Sequence, residues 1–151
     1  MKLKLITSTI LFLSSFYCFS QFKDYESTVG FTCGGGGSST PIVNRTHELL
    51  ILKDYEKIVA MLYSNNSAEN FLGVLFCEKM NEKGIIILSE KDLKRISKLY
   101  KSKRTVEICG GCTFMGFVKL STLLKNEDEE KTKDEANQWL EEVLEDKENS
   151  H

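Results

Sequence analysis

The most reactive side chains belong to four cysteines downstream of residue 20, and two of these cysteines lie close together. Cys109 and Cys112 enclose two glycines in a CGGC motif, whereas Cys33 and Cys77 lie well upstream. Two cysteines at this spacing near a helix start can share a disulfide, and the helix N-terminus favours the thiolate form. The motif therefore raises the hypothesis of a thiol–disulfide oxidoreductase that uses Cys109 and Cys112.

The CGGC motif resembles the redox motif of thioredoxin-like oxidoreductases, and that resemblance has structural requirements. In that family the motif follows a strand of a βαβ unit, and a proline lies opposite the disulfide. The pattern before Cys109 predicts no such strand, and the single proline, Pro41, lies in a loose, glycine-rich segment. A redox enzyme is therefore the alternative interpretation, and a structural disulfide is the preferred one.

The cysteine count also bears on stability and on metal binding. An even count in an exported domain favours disulfides, and one bond joins either Cys33 to the CGGC turn or Cys109 to Cys112. Closing the loop from Cys33 to Cys109 is worth about 4 kcal/mol. A four-thiolate zinc site usually needs two close pairs and this chain has one, so we expect neither a metal site nor a cofactor. Cys77 lies in an apolar run and is predicted to be buried and unpaired.

Residues 1–20 have the layout of a cleaved secretory signal. Lys2 and Lys4 precede a short apolar run, and small residues stand before a cleavage point at Gln21. The run is too short to cross a bilayer, so no stable membrane insertion is expected after cleavage. The mature chain is therefore predicted to be exported, either periplasmic or secreted, where thiols oxidise.

The chain lacks the residue combinations of the common hydrolases. His47 and His151 are its two histidines, and it contains neither an HExxH nor a GxSxG string. The sequence therefore offers few residues from which to build a Ser-His-Asp triad or a Cys-His dyad. Apart from the two redox cysteines we assign no catalytic residue, and we expect a non-enzymatic interaction module of the inhibitor or immunity type.

Charge is distributed unevenly along the chain. Residues 91–104 carry seven Lys and Arg residues, while residues 126–151 hold 3 basic against 11 acidic residues. Neutralisation by the acidic segment is the simpler account of the basic patch, but such a patch also steers an oppositely charged partner. We expect that partner to be another envelope or extracellular protein with an acidic surface, since export argues against nucleic acid. The predicted binding residues are Lys94, Lys98, Lys101 and Arg104.

The hydrophobic pattern divides the chain after residue 20 into three parts. Residues 21–44 are rich in glycine and lack apolar periodicity, which is typical of a flexible arm. Residues 45–125 carry apolar side chains every three or four residues, which predicts amphipathic helices. Residues 126–151 predict an acidic amphipathic helix and a tail, and residues 85–88 fit either a short strand or a connector. The five predicted helices begin near Thr46, Ser67, Ser89, Thr105 and Thr132.

An internal similarity indicates a repeated architecture. Residues 53–64 (KDYEKIVAMLYS) align without gaps with residues 91–102 (KDLKRISKLYKS), 38 residues further along the chain. This offset is close to the ~40 residues of HEAT and armadillo repeats, and residues 46–125 resemble two such helical hairpins in tandem. The sequence therefore predicts an all-α fold of tandem helical hairpins, HEAT-like, with about five helices and a flexible N-terminal arm.

Overall fold

The protein combines helices with a small sheet. The computed structural model describes residues 25–33, 36–111 and 114–148, and in that part it has six α-helices and a mixed three-stranded sheet. The predicted all-α fold of tandem helical hairpins is therefore wrong. The elements are β1 (Thr28–Val29), α1 (Pro41–Ile51), α2 (Tyr55–Met61), α3 (Ser67–Glu82), α4 (Glu90–Leu99), β2 (Thr105–Gly110), β3 (Phe114–Lys119), α5 (Leu120–Leu124) and α6 (Thr132–Glu148).

The predicted fourth helix, from Thr105 to Leu124, is instead a β-hairpin followed by the short helix α5. Strands β2 and β3 pair antiparallel, from Thr105 opposite Lys119 to Gly110 opposite Phe114. The segment is rich in β-branched and aromatic residues, which favour strands. Gly111 has a φ of 56°, a left-handed conformation that glycine adopts without steric cost in a turn. The apolar spacing that we assigned to a helix therefore belongs to two short strands.

The segment preceding α1 takes part in the sheet, rather than forming only a loose arm. Strand β1 runs parallel to β2, with Thr28 opposite Glu107 and Val29 opposite Ile108. Val29 is fully buried, and the Thr28 hydroxyl donates a 2.8 Å hydrogen bond to the Glu107 carboxylate. The sheet order β1-β2-β3 therefore places β2, the strand that carries Cys109, in the centre.

The first predicted helix is two helices, and it starts earlier than expected. Pro41 occupies the first turn of α1, a position where its missing N–H is no loss. Thr46, the predicted N-cap, is buried within α1 and its hydroxyl donates to the Ile42 carbonyl at 2.7 Å. Lys53 has a φ of 56°, so the chain leaves helical geometry between α1 and α2.

Three other helices lie where the pattern places them. Asn66, rather than Ser67, caps α3 through its side chain, and the middle of α3 is buried nearly all round, as predicted. The predicted Ser89–Asp92 capping box is present at the start of α4. Helix α6 begins at Thr132, whose N–H donates to the Asp128 side chain at 2.9 Å. Residues 85–88 form neither helix nor strand.

Helix α3 is the centre of the core. Phe71 and Phe76 on this helix are fully buried. The single tryptophan, Trp139 on α6, packs its ring 5.8 Å from that of Phe76 and 5.4 Å from that of Phe31. Among the described residues, no helix is long and apolar enough to cross a membrane. The predicted signal, residues 1–20, lies outside the described part of the chain.

Candidate functional site

One disulfide links the segment after β1 to the central strand, β2. Cys33 and Cys109 are bonded, with 5.6 Å between their Cα atoms and a separation of 76 positions in sequence. This is the first of the two pairings that the cysteine count left open. Cys112, the other half of the CGGC motif, lies outside the described residues.

The surroundings of the disulfide are tightly packed. A Cβ atom at Gly30 would lie 2.2 Å from Cys33 Sγ and 2.6 Å from the Cys109 carbonyl oxygen, so only glycine fits there. The Gly30 carbonyl accepts a 2.9 Å hydrogen bond from the Thr40 N–H, and the Gly111 N–H donates to the Thr32 carbonyl at 2.8 Å. The bond therefore joins β1 to the hairpin through close backbone contacts.

This geometry removes the physical premise of the redox interpretation. Cys109 lies within β2 and is buried, whereas the redox hypothesis placed the motif at a helix N-terminus. The dipole that would stabilise a thiolate is therefore absent at Cys109. The remaining described thiol, Cys77, is buried and unpaired as predicted. Burial raises the pKa of Cys77 to about 12, so this thiol is protonated and is not a nucleophile at neutral pH.

The basic face of α4 borders an open depression. The depression has a volume of about 650 Å³, and we call it the α4 groove. Of the predicted binding residues, Lys94 and Lys98 line it. Lys94 lies 3.5 Å from Glu90, one turn back on the same helix, and an exposed pair of this kind contributes little stability. The full lining is Tyr63, Glu90, Lys91, Lys94, Arg95 and Lys98.

The other two predicted binding residues lie outside the groove. Lys101 is exposed in the turn after α4. The Arg104 guanidinium donates a 2.8 Å hydrogen bond to Oδ1 of the buried Asn70 and a second bond to the Asn65 carbonyl. Arg104 thus holds the α2–α3 connection, and its expected role in binding stays a prediction.

Tyr63 forms the wall of the groove opposite α4. Its hydroxyl donates a 2.7 Å hydrogen bond to Asp92, and the Lys91 ammonium lies 4.8 Å from the ring centre. Hydrogen bonds from Ser89 and from Tyr63 lower the pKa of Asp92. Partial burial, together with the bond to Asp92, raises the pKa of Tyr63. Tyr63 is therefore a neutral aromatic surface held in place beside several cations.

None of the described residues that line this groove belongs to the acidic C-terminal helix. One ion pair of α6 joins Glu141 to Lys79 on α3 at 2.7 Å. None of the ion pairs between described residues joins α6 to the basic residues of α4. The expected neutralisation by the acidic segment is therefore not made through ion pairs there.

Four of the six residues that line the groove were not among the predicted binding residues: Tyr63, Glu90, Lys91 and Arg95. Arg95 was recognised only as part of the basic cluster, although Lys91, Lys94, Arg95 and Lys98 follow the spacing of a single helix face. Tyr63 gave no usable signal, because it is 28 residues before Lys91 and only its tertiary contacts with Asp92 and Lys91 bring it to α4.

Other arrangements of reactive groups are sparse, and known families give no match. No group of three or more His, Cys, Asp or Glu side chains that could hold a metal ion occurs among the described residues. The His47 ring packs 5.7 Å from the ring of Trp139. A scan with protein-family models finds no matching family, and a search of curated proteins finds no similar sequence.

Proposed function

We propose that the protein is an exported, non-enzymatic interaction module that binds an acidic partner protein through the α4 groove. The observation that carries this proposal is the set of four cationic side chains on one face of α4, next to the ring of Tyr63. Cations arranged in this way raise the association rate with a negatively charged partner. The Cys33–Cys109 disulfide supports a site of action in an oxidising compartment, such as the envelope or the extracellular space.

Site-specific photo-crosslinking in the producing cell tests the proposal. A photoreactive amino acid at Lys98, in the groove, is expected to give an adduct with an acidic protein. The same group at Glu56, an exposed residue of α2 outside the groove lining, is the matched control and should not give that adduct. Lys94→Glu in the Lys98-labelled protein should abolish the adduct, because it reverses a charge in the groove. An adduct that survives this reversal, or the lack of any adduct, contradicts the proposal.

The alternative function, a thiol–disulfide oxidoreductase that uses Cys109 and Cys112, requires a different assay. Insulin reduction by the wild type should show no turnover that depends on a thiol of this protein, because the partner of Cys109 is Cys33. Turnover that disappears in Cys109→Ser would establish the enzyme and displace the interaction module.

A further inference from the structure

Arg95 is the one arginine of the α4 groove, and its guanidinium is held in place. Its Nε donates a 2.7 Å hydrogen bond to the Leu62 carbonyl, and its Cζ lies 5.9 Å from the ring centre of Tyr63. Neither Nη atom of Arg95 has an acceptor in the part of the chain that the structure describes. The hydrogen bond from Nε therefore orients the guanidinium, and its two Nη atoms point to no acceptor among the described residues and can bind a ligand.

The side chains around Arg95 are also fixed. Tyr63 is bonded to Asp92, and Asp92 closes the capping box with Ser89 at the start of α4. Tyr63 is 40% exposed, so it offers an aromatic surface next to the guanidinium. A site that is ordered before binding loses less conformational entropy when a partner arrives.

Resting on the proposed function, we propose that Arg95 anchors the groove on a single Asp or Glu carboxylate of the partner protein. A guanidinium with two adjacent free nitrogens matches a carboxylate in a bidentate pair, which a lysine ammonium cannot form. Lys91, Lys94 and Lys98 then act as point charges for neighbouring acidic residues. The anchor gives the interaction its geometry, and the lysines give it long-range attraction.

A protein carboxylate fits this groove better than a nucleic-acid backbone. From Lys91 to Lys98 the cationic face spans about 10 Å along the helix, whereas nucleic-acid affinity is built from many phosphate contacts. Glu90 also lines the groove, and the whole chain has a net charge of −2. Both features weaken the attraction of an extended polyanion.

A binding assay with synthetic peptides tests the anchor. The probe is a fluorescein-labelled peptide of alternating Glu and Ala, followed by fluorescence anisotropy. Arg95→Lys keeps the charge and a donor for the Leu62 carbonyl, and we expect it to weaken binding at least about tenfold without changing the dependence on salt. Lys101→Ala removes an exposed cation outside the groove and should weaken binding by less than about threefold.

Each outcome separates the anchor from the proposed function. If Lys94→Glu with Lys98→Glu abolishes peptide binding but Arg95→Lys has no effect, the anchor is wrong and the interaction module stands. Tighter binding of a matched phosphoserine peptide overturns the choice of a carboxylate. If the wild type binds neither peptide and gives no crosslinked adduct, the proposed function itself fails.

A second measurement uses the wild-type protein and needs no variant. The ¹H–¹⁵N resonance of the Arg95 Nε–H group should shift when glutarate is added to the wild type, because a carboxylate then pairs with the same guanidinium. The exposed Arg45, which is paired with Glu69, is the internal reference and should shift less. An Arg95 resonance that does not move contradicts the anchor.

Discussion

Arg104 donates a 2.8 Å hydrogen bond to the side-chain oxygen of Asn70, which is fully buried at the start of α3. The amide nitrogen of Asn70 in turn lies within hydrogen-bond distance of three carbonyl oxygens, those of Met61, Leu62 and Ser64. One buried side chain therefore organises the connection that carries Tyr63 to the groove. The geometry of the α4 groove depends on this internal network.

Replacing Asn70 should therefore be costly. Asn70→Ala removes the amide that bonds to the carbonyl oxygens of Met61, Leu62 and Ser64, and it takes away the side-chain acceptor of Arg104. We expect a loss of about 2 to 3 kcal/mol in the free energy of unfolding. The measurement is urea denaturation. Asn65→Ala, which removes an exposed side chain in the same connection, is the matched control and should cost less than about 0.5 kcal/mol. Equal midpoints for the two variants would refute this role of Asn70.

The packing at Gly30 predicts an intolerance to any side chain. Gly30→Ala adds a methyl group that would clash with Cys33 Sγ, so the backbone or the disulfide must shift. We expect a loss of about 2 kcal/mol or more in the free energy of unfolding. Gly36→Ala is the control, because its Cβ would meet nothing closer than 3.7 Å. Thermal denaturation of the oxidised proteins measures both. A Gly30→Ala protein as stable as the Gly36→Ala protein would contradict the observed packing.

The disulfide itself should make a large contribution. Replacing Cys33 and Cys109 together by serine opens a loop of 76 residues and should lower the free energy of unfolding by about 4 kcal/mol. Cys112→Ser is the control, and non-reducing peptide mapping of that variant should still recover the Cys33–Cys109 peptide. A map of the wild type that shows Cys109 joined to Cys112 would disprove this connectivity.

Because the Cys77 thiol is buried, we expect the protein to lose stability at alkaline pH. Burial raises its pKa from 9.0 to about 12 in the folded state. Above pH 9 the unfolded chain ionises this thiol while the folded chain cannot, so stability present below pH 9 is lost as the pH rises, by about 1.4 kcal/mol per pH unit up to the folded pKa.

The comparison for this prediction is the wild type against Cys77→Ala, both in a Cys112→Ser background to limit disulfide exchange. The difference in unfolding free energy between the two should be constant near neutral pH. Above pH 9, the protein that retains Cys77 should lose stability relative to Cys77→Ala. A difference that stays constant across this range would show that the thiol is not held in its protonated form.

The elements that could be predicted are those whose signals are local. The Ser89–Asp92 capping box, the burial of α3 around Cys77 and the start of α6 at Thr132 each depend on residues within one or two helical turns. Capping and amphipathicity act over this range. These predictions survived because no distant contact overrides them.

Some of the failures occur where a distant partner decides the outcome. Residues 105–119 carry apolar side chains at intervals that fit a helix, but parallel pairing with β1 and the bond from Cys33 hold this segment in a sheet. Arg104 shows the same limit at the level of a side chain. In sequence it belongs to a basic cluster, and in the structure it donates hydrogen bonds to the buried Asn70 amide on α3 and to the Asn65 carbonyl.

The sequence alone thus determined the helical segments with strong caps, the buried thiol and the cluster of cations on α4, because these follow from the chemistry of neighbouring residues. Tertiary structure decided the sheet, the choice of Cys33 as the partner of Cys109, and which cations remain available to a ligand. These outcomes involve contacts between residues 28 to 79 positions apart, in addition to the local pairing of β2 with β3. The free energy of such long-range contacts is gained only when the whole chain is packed.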